Sequence, residues 1–562
     1  MGVIARSNQS SNRDRENMTR SAKGNATTLS RRGFLSTAAA GLSVMALPGA
    51  VRAATDGPKY GGVFVVGAGV EPRHLNQNIA TDISIKLISN PVFSKLVGLR
   101  SDLSPKPDLA KDWTVSDDGL TFTFNLHEGV NWHDGKDFTS DDVKFSFEEL
   151  LFKFHNVGKG LADYVEAIET PDATTVVFRL SAPNDVIMTF IAGQGFIQAR
   201  HIYGEGDPME NPANLAPIGT GPFKFVDWQR GQQIILERNE DYFLDDQPYV
   251  DRIITRFIPE ASARIRALEA GEVDYVTYAD LPPSMVAELE SNPDITVTSK
   301  GHEAWGSITE LMMNLDSAPF NDKRVRMAID HALDINFIIE KAVFGLAKPA
   351  TGPISSELGW AYTPDTTQYD YDVETAKALL DEAGYPDEGG TRFATSVIVN
   401  RANDAFVKAA QIVAEQLRGV GIEVEVKALD AATVAETVYV KREFGMYIQS
   451  LTTGPDPAMG VQRQYISSNI RPVPYTNGIG YRSDEIDALF EQAAASPDRA
   501  ERAALYKQAA AMLCDDCAMV WLYENPTYSA FASTFGNLHS WAAESIYSYG
   551  DVYWKEGKDS RA

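Results

Sequence analysis

Apolar and polar positions change period several times along the chain. Residues 61–69, Gly-Gly-Val-Phe-Val-Val-Gly-Ala-Gly, form a short apolar run that ends in glycine. This predicts a buried strand leaving through a turn that delivers Glu71, Arg73 and His74. Residues 121–126 alternate as a half-buried strand does, and a turn follows at His133-Asp134-Gly135. Thr139 stands where the N-cap of a helix over 140–150 belongs, with Asp141 and Asp142 in the first turn, where the helix dipole favours carboxylates. Further strands are predicted over 175–180, around 218–226 and over 234–237, the last two paired. A helix over 261–270 ends at Gly271 and leads into a strand over 273–278.

Beyond residue 300 the alternation is more regular. Helices over 323–333, 373–383 and 405–420 are separated by strands near 309–314, 395–399 and 422–426, the order of an α/β lobe. Helices over 483–494 and 500–513 follow, and an apolar strand at 519–523 carries the chain back. The expected class is mixed α/β. At 562 residues the chain exceeds what one core usually organises, so two or three lobes are expected.

Composition narrows the function classes. Hydrophobic residues at 44% and charged residues at 23% are those of a globular protein. A formal net charge of −26 opposes binding to nucleic acid and to anionic membrane surfaces. The first 53 residues run against that trend, carrying Arg6, Arg13, Arg15, Arg20, Lys23 and Arg52 beside the pair Arg31-Arg32. Arg31 and Arg32 precede a mildly apolar stretch rich in Ala and Gly, and small residues surround Ala53. This resembles a twin-arginine signal peptide cleaved after Ala53, and predicts a periplasmic protein, soluble once the leader is removed. The only cysteines are Cys514 and Cys517, so no lipid anchor at the cleavage site is expected.

Four separated stretches carry a more specific resemblance. They are Pro107 to Val143 with its Trp132-His133-Asp134-Gly135 turn; Ile218-Gly-Thr-Gly-Pro-Phe223 with Leu236 to Tyr242; Asn314 with Pro319 to Asp334; and Tyr371-Asp372 with Ala376 to Tyr385. Together they resemble the peptide/nickel class of ABC-transporter solute-binding proteins, which includes the dipeptide- and oligopeptide-binding proteins. The resemblance implies a two-lobe periplasmic binding protein fold with a hinge and an extra subdomain in the first lobe. Lobe I would span 58–305, including the subdomain at about 96–216; lobe II would span 306–519; and 520–562 would return to lobe I. It also implies a binding role without catalysis. The partners would be a small polar ligand (peptide, opine, oligosaccharide or amino-acid derivative) and an inner-membrane ABC permease, with no cofactor, no metal and a monomeric chain.

The same resemblance nominates contacts. The exit loop of the first strand would bring Glu71, Arg73 and His74 to the ligand. Arg401, leaving the 395–399 strand, would offer its planar fork to a carboxylate. The Thr453 to Asp456 loop departs from peptide-binding members, which carry an aspartate where Thr453 stands. That leaves no counter-charge for a peptide ammonium and weakens a peptide assignment. Trp305, Trp360 and Tyr362 fall near the expected hinge or cleft wall, where flat rings stack on ligands. The CxxC spacing of Cys514 and Cys517 reads as a structural disulfide or as two quiet thiols. The rival class is an exported hydrolase or oxidoreductase, for which no HExxH, GxSxG or phosphate-loop pattern is present. Docking to a chemoreceptor is a third reading.

Overall fold

The computed structural model describes residues 58–80, 82–538, 543 and 547–555; the leader, with Arg31, Arg32 and the cleavage site after Ala53, lies outside the described residues. Val63–Ala68 is buried throughout and pairs in parallel with Arg252–Phe257 on one side and Tyr275–Val276 on the other. A strand covered on both faces must be apolar at every position. Phe64 and Val66 pack with Leu236, Ile253 and Phe531, whereas Val63 and Val65 pack with Ile265 and Leu268 of the helix Ala261–Glu269. This strand is the centre of a seven-stranded sheet that ends in the antiparallel pair Phe223–Gln229 and Gln233–Arg238.

A second sheet, of six strands, is organised around Ser307–Met313, which pairs antiparallel with Met446–Thr452 and with Val520–Glu524. Its Leu311 and Met313 meet the helices Lys323–His331, Ile335–Val343 and Asp404–Arg418. Ile308 and Met312 meet the opposite layer, built from Asp484–Ala495 and Arg499–Asp515. A third, four-stranded antiparallel sheet comprises Ala110–Val115, Thr121–Leu126, Thr175–Leu180 and Val165–Asp172. The inward-facing Phe122 and Phe124 of its Thr121–Leu126 strand belong to the same apolar cluster as Ile308, so this core is continuous with that of the second lobe.

Three expectations are corrected in detail. The strand expected over 273–278 is only Tyr275–Val276. The helix expected over 140–150 is α-helical at Ser140–Phe145 and widens to a π-helix at Ser146–Leu151. There the Ser146 hydroxyl donates to the Asp142 carbonyl at 2.7 Å and receives the Gln198 N–H at 2.8 Å, drawing the ladder out of register. Val520–Glu524, expected to open the return to the first lobe, belongs to the second sheet, and the chain rejoins the first sheet at Ser529–Ala532. Two segments therefore cross between the sheets, 299–306 and 525–528. They lie side by side: Asn525 donates from its backbone to the Ser307 carbonyl at 2.9 Å and from its side chain to Ser307 Oγ at 2.8 Å.

Candidate ligand-binding site

A cavity of 340 Å³ opens where the first lobe, the inserted subdomain, the crossing segments and the second lobe converge. The helix Ile83–Ser89 supplies Lys86, carried inward because Ile85, Leu87 and Ile88 around it are buried. Lys86 is 8% exposed; its Nζ donates to Gln194 Oε1 at 2.9 Å and lies 5.6 Å from the centre of the Trp305 ring. Among the described residues it forms no ion pair, and burial pushes its pKa down to about 8.

His155 caps the helix Asn156–Ala162: its Nδ1 accepts from the N–H groups of Val157 and Gly158, each at 3.3 Å. That assigns the ring proton to Nε2, which is buried with the Gln194 side chain as its neighbour. Burial and then the charge of Lys86 push the His155 pKa down to about 3, so the ring is a neutral donor. His302 stands across the cavity, its Nε2 3.2 Å from Ser529 Oγ, and burial pushes its pKa down to about 4.

The second lobe contributes Ser307, Thr452 and Arg463. Arg463 donates from Nε to the Gly460 carbonyl at 3.1 Å, and burial lowers its pKa. Glu310 lies near it, 2% exposed, and accepts from Gln449 Nε2 at 2.8 Å. Burial drives the Glu310 pKa up to about 8, leaving the carboxyl largely protonated at neutral pH and unable to cancel the guanidinium. Among the described residues no aspartate or glutamate lines the cavity.

A larger hollow of 660 Å³ lies between Pro282–Ser284 and the start of the helix Asp404–Arg418. Much of its polar floor is already bonded to itself, with the Asn525 side chain holding Ser307, Thr309 and Ser450. The smaller cavity is the better candidate because it draws on both lobes, the subdomain and the crossing segments, and holds a buried cation with no ion pair and a buried indole N–H with no partner among the described residues.

The structure distributes the nominated residues unevenly. Trp305 lines the cavity, and its Nε1 is buried without a partner. Glu71, Arg73 and His74 stand outside its lining. Glu71 accepts from Trp228 Nε1 at 2.8 Å, Arg73 is exposed and pairs with Asp82 at 3.3 Å, and His74 accepts from the Asn76 N–H at 3.2 Å. Arg401 is exposed beside the larger hollow. Thr453 is buried and donates to the Gly306 carbonyl at 2.8 Å, anchoring a crossing segment, while its neighbour Thr452 faces the cavity.

Asp456 is 1% exposed and already satisfied. It pairs with Arg502, accepts from Tyr506 Oη at 2.9 Å and caps Ala458. Arg502 also pairs with Asp185 of the inserted subdomain, which ties that subdomain to the second lobe. Burial works against this guanidinium, but Asp456 and Asp185 outweigh it and hold its pKa up. Trp360 belongs to this junction, with its ring 5.8 Å from Tyr506 and 5.6 Å from the Arg502 guanidinium. Tyr362 accepts from Thr351 Oγ1 at 3.2 Å. Cys514 and Cys517 are free, buried thiols, and burial pushes the Cys514 thiol up to about 12.

Lys86, His155, Gln194, His302, Thr452 and Arg463 were not nominated from sequence. The one local signal among them is Lys86, a lone cation inside the apolar run Ile83-Ser-Ile-Lys-Leu-Ile88.

Comparison with known proteins agrees with this architecture. The profile of the bacterial extracellular solute-binding proteins, family 5 Middle, matches residues 104–471. The oligopeptide-binding protein AppA of Bacillus subtilis is 29% identical over 486 residues, covering 83% of this chain and 87% of its own. Heme-binding protein A of Haemophilus influenzae is 30% identical over 452 residues, covering 75% and 79%. The crystal structure of the ABC transporter substrate-binding protein CtaP from Listeria monocytogenes superposes with a TM-score of 0.76 at 26% identity, covering 88% of this chain and all of that one. With a family match over most of its length and a two-lobe fold shared with solved binding proteins, the chain belongs to the bacterial extracellular solute-binding proteins of family 5.

Proposed function

We propose that this protein captures one small polar ligand in the 340 Å³ cavity by closing its lobes about the two crossing segments, and presents it to an inner-membrane ABC permease. The family gives a solute-binding role in ABC import. The observation that supports this cavity as the site is its lining, drawn from both lobes, the subdomain and the crossing segments, with buried donors still unpaired. Such a site gains most when the lobes shut and water leaves. The names of the relatives range from oligopeptides to heme, so membership alone leaves the ligand open. The cavity sits near the lower end of ordinary ligand pockets, roughly 300–1,000 Å³, which favours a compact ligand. The protein acts as a periplasmic monomer, exported through its basic leader, and makes or breaks no bond.

The test is small-angle scattering and thermal shift on the mature protein with a panel of peptides, sugars, opines and amino-acid derivatives. A binding compound should raise the melting temperature and reduce the radius of gyration. Formation of product from any binding compound would overturn the reading in favour of an exported enzyme.

A further inference from the structure

We infer that the ligand of this cavity bears an organic oxyanion, a carboxylate or a phosphate ester, seated on Lys86 and the Nε2–H of His155 against the indole of Trp305. The inference rests on the proposed binding function and adds the substrate class. It begins from a contrast in charge. The chain has 77 acidic and 51 basic residues, yet among the described residues its cavity is lined by Lys86 and Arg463 and by no carboxylate.

Lys86 is the centre of the argument. Its ammonium has three donors and one acceptor, the neutral amide oxygen of Gln194. Holding a charge without an ion-pair partner at 8% exposure is unfavourable, and a methionine would fill a similar volume without that cost. Gln194 and the ring of Trp305 hold the ammonium at the wall but do not neutralise it.

Two more donors point the same way. The Trp305 Nε1–H is buried with no partner among the described residues, and His155, 3% exposed, is left with its Nε2–H as a donor whose neighbour is the Gln194 side chain that Lys86 already uses. Three donor groups that share a single amide acceptor suit a group rich in lone pairs. An oxyanion accepts several hydrogen bonds and supplies the missing negative charge. A ligand ammonium in that place would meet a cation and more donors. A sugar hydroxyl could accept but would leave Lys86 unneutralised. The volume of 340 Å³ is larger than a bare inorganic ion requires, so the oxyanion has an organic body, with Arg463 in the second lobe available to a second acceptor.

Calorimetry and thermal shift with matched probes test this. N-acetylglutamate is compared with its dimethyl ester, and glucose 6-phosphate with glucose, on wild type and on Lys86→Met. The expected result is that an oxyanionic probe raises the melting temperature while its neutral counterpart binds at least roughly tenfold more weakly. Lys86→Met should lose the oxyanion by a similar factor without lowering the melting temperature of the unliganded protein. Response to the carboxylate or to the phosphate identifies which source of the group is used. Equal binding of charged and neutral members, or full affinity in Lys86→Met, overturns the oxyanion assignment and leaves solute binding intact. No response to either oxyanionic probe at millimolar concentration, with a neutral compound of the wider panel binding, also overturns the oxyanion assignment while leaving solute binding intact. The wild-type acid-against-ester comparison requires no variant to fold.

Discussion

The two ends of one short helix, Val186–Gln194, show two opposite treatments of buried charge. At its start Asp185 meets Arg502, and Arg502 in turn meets Asp456, which takes the Tyr506 hydroxyl. About 13 Å away at its end, Gln194 receives Lys86, which has no carboxylate partner among the described residues. The first end has its charges answered within the chain, although Arg502 Nε and Trp360 Nε1 have no partner among the described residues, and it fastens the subdomain to the second lobe. The second end is incomplete within the chain. Burial alone therefore does not mark a functional charge; what marks it is burial without an internal answer.

The contrast can be broken most forcefully at the complete end. Arg502→Met strands Asp456 without its cation and is expected to cost about 3–5 kcal/mol, read as a lower urea midpoint. A loss no larger than that of an ordinary surface change would show that the junction does not hold the lobes. At the incomplete end Lys86→Met should do the reverse, leaving unliganded stability equal or higher while oxyanion affinity falls by about tenfold or more. Titration sharpens the same point. The charged groups facing Lys86 are few, with His155 neutral and Arg463 across the cavity, so raising the pH through about 8 discharges Lys86. Oxyanion affinity should fall by about tenfold between roughly pH 7.5 and pH 9.5, checked by calorimetry.

Stability carries the opposite slope over a neighbouring window. The folded pKa of Lys86 lies below its unfolded value of about 10.4, so its penalty is full below about pH 8 and relieved as the pH rises toward 10.4. Lys86→Met should remove that slope from the melting curve. The smallest effect is expected at Glu310, whose folded pKa is raised: its contribution is present at low pH and lost as the pH rises through about 8. Glu310→Gln mimics the protonated acid and should change stability near pH 4 by no more than about 1 kcal/mol, while flattening the decline above it.

Local pattern made most elements legible. Val63–Ala68, Thr121–Leu126 and Thr175–Leu180 each advertise a strand through an apolar run or strict alternation, and the helices from Lys323 to Arg418 through a repeating apolar face. Partnership between distant segments was not legible. Val520–Glu524 is apolar throughout, which says that it is buried but not in which sheet, and its register against Ser307–Met313 has no local signature. The cavity was hidden for the same reason. Lys86 and Gln194 are 108 positions apart, and Arg463 comes from the other lobe, so no spacing could join them. Asp456 was nominated through the resemblance of its loop to that of the peptide-binding members, but its answering cation sits 46 positions on, inside the helix Arg499–Asp515.

The paired crossing segments carry a consequence for measurement. Two tethers fastened side by side, Asn525 to Ser307 and Thr453 to Gly306, behave like the two pins of a door. For the lobe closure proposed above, such a pair would favour swing about one axis over twist. One donor–acceptor dye pair placed across the two lobes, away from the tethers, should then report the motion of a single molecule as one distance that shortens when ligand is added.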